Sequence, residues 1–77
     1  MAGTSSIRSN PIQDIHELVL EPGEELRQML YYINESRCTI SFKLSSVYKM
    51  GDDNPVRVVG LTARLLVWDG ERWCVVP

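Results

Sequence analysis

The side chains able to do chemistry are few and scattered along the chain. The single histidine, His16, has no Cys or second His at metal-ligand spacing, so it is expected to be a surface or half-buried structural residue. Cys38 and Cys74 each lie inside an apolar strand-like pattern, with no CxxC and no nearby His. They are expected to behave as small buried hydrophobes, the alternative being a disulfide. Asp52, Asp53 and Asn54 could hold a cation, but the other ligands and the terminal Glu of an EF-hand loop are missing, and a solvated turn is expected. Asn34-Glu35-Ser36 fits the glycosylation pattern; with no secretory leader beside it, Asn34 is read as a turn residue. There is no GxxxxGK[ST], no GxGxxG and no Ser, His and acid set. The chain is therefore expected not to be an enzyme, with no catalytic residue, metal or cofactor.

Size and charge narrow the remaining classes. A chain of 77 residues allows one domain. A domain this small buries only about 60% of its unfolded surface and gains from disulfides, a metal or oligomerisation. With the first two unsupported, oligomerisation is the expected aid. The net charge is −2, and Lys and Arg are dispersed rather than massed. A dedicated nucleic-acid binder carries a basic stripe, because phosphate neutralisation supplies most of its affinity, so nucleic acid is not an expected partner. No apolar run reaches membrane length.

Residues 1–11 are mostly small and polar, and are expected to form an extended arm that straps onto a neighbour through Ile7 and Arg8. A short helical start at Asn10-Pro11-Ile12-Gln13 leads into a single β-rich domain, 12–77. Glu21-Pro22-Gly23-Glu24 has the preferences of a type II turn. Residues 24–33 support two readings. Leu26, Met29, Leu30 and Ile33 fall at i, i+3, i+4 and i+7, a helical stripe; Leu30-Tyr31-Tyr32-Ile33 favours strand, and the flanking turns make that a consistent meander. Over 37–44 Cys38, Ile40, Phe42 and Leu44 alternate with polar residues, which predicts a strand, and 51–55 is a loop of strong breakers.

The chain is organised around 55–77. VRVVGLTARLLVW runs into Asp69-Gly70 and returns as ERWCVVP, a hairpin signal, and a bend or bulge is expected at Gly60. A two-residue loop would set Leu66 opposite Trp73 and Leu65 opposite Cys74. Both faces are apolar. Leu61, Ala63, Leu65, Val67, Cys74 and Val76 form one, taken as the core side. Leu66, Trp68, Trp73 and Val75, with Arg64, form the other, expected to be an interface because Trp, Tyr and Arg concentrate at contact hot spots; for the Trp68 and Trp73 pair the alternatives are core packing and, third, base or sugar stacking.

The predicted fold is mainly β: a small antiparallel sandwich or barrel with a C-terminal β-hairpin and an extended N-terminal arm. The alternative is α+β, one helix near 24–34 on an antiparallel sheet. Leu65, Val67, Trp68, Asp69, Gly70 and Trp73, with LVLEPGEEL as a weaker companion, give the chain a hairpin that resembles those closing small β modules of tailed-phage virion proteins, of the decoration, cement or fibre type. That resemblance implies a structural role in a virion assembled in the host cytoplasm, with other copies of itself, a trimer favoured, and a larger protein assembly such as a capsid as partners. The α+β alternative would be a cytoplasmic inhibitor or adaptor of a cellular protein. A nucleic-acid-binding module is the third reading.

Overall fold

The computed structural model describes residues 4–77, which form eight strands and no helix. A five-stranded sheet runs in the order β1 (Thr4–Ser9), β3 (Met29–Asn34), β7 (Ala63–Trp68), β8 (Trp73–Val75), β5 (Val47–Tyr48). A three-stranded sheet contains β2 (Ile15–Leu18), β4 (Ile40–Phe42) and β6 (Arg57–Val58). The mainly β expectation holds, and the α+β alternative is not needed. The sheets are mixed rather than purely antiparallel, since β1 with β3, β2 with β4 and β5 with β8 all pair parallel.

The core lies between the two sheets. Leu30, Tyr32, Leu66, Trp73 and Val75 come from the larger one, Ile40, Phe42 and Val58 from the smaller. Tyr32 and Phe42 meet edge to face across the layers, with ring centroids 5.2 Å apart. Of the 24–33 stretch, residues 29–33 are strand and 24–27 a bend and turn; the alternation Leu30, Tyr32, Asn34 points into this core, while Leu26, the first residue of the helical stripe, stands exposed. In β2, Ile15 and Leu18 are three residues apart and could not share a face of a regular strand. A register shift with Glu17 at φ 52° lets both pack inward.

Asn34 ends β3 and ties both sheets together. It is 1% exposed. Its Nδ2 donates to the carbonyls of Cys38 at 2.7 Å and Val58 at 3.0 Å, while its Oδ1 accepts from the Ser36 backbone N–H at 3.0 Å and the Ser36 hydroxyl at 2.8 Å. A buried amide is tolerated only when so satisfied. The turn role expected of Asn34 is thus extended to a clamp, and the amide nitrogen that glycosylation would need is engaged in the interior.

Several local expectations are corrected. The hairpin loop holds four residues, 69–72, so that Trp68 pairs with Trp73, Val67 with Cys74 and Leu66 with Val75. A type I′ turn needs two positive φ values; here only Gly70 has one, at 102°. Asp69 builds the wider loop instead, its Oδ1 accepting the backbone N–H groups of Glu71 and Arg72, each at 2.8 Å. Asn10-Pro11-Ile12-Gln13 bends without forming a helix. Only Ile40–Phe42 of 37–44 is strand, because a turn over 44–46, closed by the Ser46 and Val47 N–H groups on the Lys43 carbonyl, carries the chain into β5.

Gly23 does not take the positive φ of a type II turn. Its requirement is space: a Cβ there would collide with the Trp68 ring. The bend expected at Gly60 is present between β6 and β7. A Cβ there would lie 2.7 Å from the backbone of Arg37, and the next residue, Leu61, takes φ 60°.

The arm is corrected as well. Residues 4–9 are extended, but they pair along their whole length with β3 of the same chain, because β3 offers a long edge of unpaired amides and carbonyls. The first three residues of the expected arm lie outside the described residues.

Candidate protein-binding face

The register of the five-stranded sheet sorts its side chains into two layers, since paired residues on adjacent strands point to the same side. On the inner layer Leu30, Leu66 and Val75 form one row and Trp68 and Trp73 the next. On the outer layer Thr4, Met29, Val67, Cys74 and Tyr48 make a row that crosses all five strands. A second outer row joins Ser6, Tyr31 and Leu65, with the Val76 N–H bonded to the Leu65 carbonyl. A third joins Arg8, Ile33 and Ala63.

No described element covers the outer layer. Met29 and Tyr31 are 39% and 44% exposed, Ile33, Ala63, Leu65, Val67 and Val76 are half-buried, and Cys74 in the first row is buried. A sheet face in contact with water normally turns polar residues outward; β1 does so with Thr4, Ser6 and Arg8, but β3 and β7 present Met29, Tyr31, Ile33, Ala63, Leu65 and Val67. Contiguous exposed apolar patches on small soluble domains mark contact surfaces.

The rims of this face are polar. Arg8 sits at the β1 edge. At the β5 edge the Arg72 guanidinium lies 4.0 Å above the Tyr48 ring and donates to the Leu44 carbonyl at 3.2 Å. The Tyr48 hydroxyl donates to Asp69 Oδ2 at 2.7 Å. The backbone N–H of Arg72, then the Tyr48 hydroxyl and the Glu71 N–H, hold the Asp69 carboxyl below the usual range, while the bond to Asp69 pushes the Tyr48 phenol up. An apolar centre with a hydrogen-bonded charged rim is the anatomy of a protein contact. At the far end, next to Ile33 and Ala63, an open depression of about 420 Å3 is lined by Asn34, Glu35, Leu61 and Thr62.

The residues expected at an interface are elsewhere. Leu66, Trp73 and Val75 are buried in the core, and Trp68 packs half-buried against it. The two indole rings meet at 5.3 Å, and Trp73 Nε1 donates to the Glu21 carbonyl at 2.9 Å. In so short a chain the largest side chains are needed to fill the space between the sheets, and the indole N–H finds its partner there. Arg64 shares the inner side, but near its open end, where its Nε donates to the Arg57 carbonyl at 3.3 Å and stitches one sheet to the other. Of the two arm residues, Ile7 lies on the inner side opposite Tyr32 and Arg8 on the outer side opposite Ile33.

The face that stays open is the set assigned to the core by sequence, with Met29, Tyr31 and Ile33 added. Those three were legible as the odd positions of β3, had the strand reading been carried through to its second face. Leu61 is 66% exposed in the bend and belongs to neither layer.

The chemistry-bearing side chains do not converge. Among the described residues no three His, Cys, Asp or Glu side chains are placed to share a metal ion, and both cysteines are free thiols. His16 is exposed on β2. Asp52 closes its own turn, its Oδ1 accepting the Asn54 backbone N–H at 2.9 Å and the side-chain amide at 3.0 Å. No helix among the described residues is long and apolar enough to cross a membrane. No family model, curated protein or solved structure matches the chain.

Proposed function

We propose that this chain is a non-enzymatic assembly module that works by protein-protein binding through the outer face of its five-stranded sheet, as a virion component of the decoration or cement type assembled in the host cytoplasm. The observation that carries the binding reading is the uncovered apolar layer around Tyr31, Leu65 and Val67. Its drive is apolar burial, worth about 25 cal/mol for each Å2 removed from water. The virion assignment is supported by the resemblance of the C-terminal hairpin to modules of tailed-phage particles, and by a binding role that needs no reacting group. An adaptor of a cellular protein would use the same face but would not travel with particles.

Density-gradient sedimentation of extracts from the cells that make the protein separates the two. Recovery in the particle fraction at a constant ratio to the major particle protein is expected. Recovery only among free proteins, at every stage of growth, would overturn the virion assignment.

A further inference from the structure

The outer layer needs an occupant, and its size, charge and shape identify one. We infer that the face packs against the same face of a second copy of this chain, related by a two-fold axis, and this rests on the reading of the face as a binding surface. Five strands lie side by side, the longest of six residues. Those strands hold six, six, six, three and two residues, so at about 4.8 Å between strands and about 3.3 Å per residue the flat footprint is roughly 360 Å2 per copy. The corrugation of the side chains adds to this, so a dimer would bury on the order of 700–1,000 Å2 in total, the size of a weak, transient contact. The area suits a weak, reversible dimer rather than an obligate one.

Charge fits the same occupant. Arg8 is the only charged residue in the three outer rows, and it stands at a corner. A two-fold axis along the strands lays β1 over the partner's β5, and one across the strands lays the Arg8 end of β1 over the Thr4 end. Either way the two Arg8 side chains are separated by the width or the length of the face, so the copies meet without Arg8 facing Arg8. Shape agrees, because two sheet layers stack about 10 Å apart when both present interdigitating apolar side chains. A self-matched face closes at two copies, whereas the trimer favoured by the hairpin's resemblance needs two different surfaces.

The test is light scattering behind a sizing column over a dilution series from micromolar to millimolar. The expected result is a mass rising from the 8.8 kDa of one chain to twice that value. Leu65→Lys and Tyr31→Lys should each hold the monomer at every concentration, while Ile12→Lys, at an exposed position off both sheets, should dimerise as wild type. Tyr31 is already 44% exposed, so Tyr31→Lys keeps the test valid if Leu65→Lys fails to fold. A mass of three chains, or a dimer indifferent to both face substitutions, overturns the inference. Retention on a phenyl matrix tells its failure from that of the underlying reading. A permanent monomer that loses retention on Tyr31→Lys overturns the two-fold dimer but leaves the face as a site for another protein. A permanent monomer whose retention is unchanged overturns both.

Discussion

Leu65 and Leu66 are chain neighbours with the same side chain, yet one half-faces solvent and the other is fully buried. They mark the two layers of the five-stranded sheet, both apolar in sequence. The inner layer has Phe42, Ile40 and Val58 packed on it; among the described residues no strand packs on the outer. The lesson is that apolar patterning reports how many sides of a strand are to be covered, and not which side is covered by the chain itself.

Truncating one neighbour and then the other gives the sharpest separation. Leu66→Ala should cost about 2–5 kcal/mol and Trp73→Ala about 3–5 kcal/mol, because each opens a cavity between well-packed layers. Leu65→Ala should cost about 1 kcal/mol or less at concentrations where the chain is monomeric. Urea denaturation of the variants measures this, and equal losses at Leu65 and Leu66 would break the distinction between the faces.

Asn34→Ala probes how the inner layer ends. It removes the amide partner of the buried Ser36 backbone N–H and of the Cys38 and Val58 carbonyls, and should cost about 1–3 kcal/mol. Gly23→Ala places a methyl group against Trp68 and should cost a similar amount, about 1–3 kcal/mol, through overpacking. A neutral outcome in thermal unfolding would mean that the 21–24 segment lies farther from the indole than described.

The smallest effect belongs to the outer rim. Tyr48→Phe removes an exposed hydrogen bond to Asp69 and should cost under about 1 kcal/mol at neutral pH. The phenol's folded pKa is raised, so its contribution is present below the ordinary tyrosine range and is lost as pH climbs above it; Tyr48→Phe should flatten that alkaline decline. The Asp69 carboxyl is depressed, so its contribution is present above the ordinary carboxylate range and is lost as pH falls. That acid limb should survive Tyr48→Phe largely intact, because the Arg72 backbone N–H is the stronger cause. Stability measured against pH in both proteins checks the two limbs.

Much of the fold was legible locally. The alternation around Ile40 and Phe42, the breakers at 51–55, the hairpin near Gly70 and the bend at Gly60 all depend on neighbours in sequence. The hairpin's loop length was not legible, because it turns on Asp69 reaching two backbone N–H groups rather than on the Asp-Gly pair. Nor was the role of Gly23, which is set by a ring 45 positions away. The candidate site was legible as a set of residues and inverted in meaning, the tryptophans being drawn inward by the need for volume and for an indole partner.

The sequence by itself determined the β class and the apolar character of both faces of the C-terminal strands, since these follow from period-two patterning and turn chemistry. Tertiary structure alone decided which layer became the interior, that 4–9 joins β3 in parallel, and that Asn34 clamps two sheets. The physical reason is the same in each case. A strand apolar on both sides is symmetric until a second sheet packs on one of them, and the partners that break the symmetry come from distant parts of the chain.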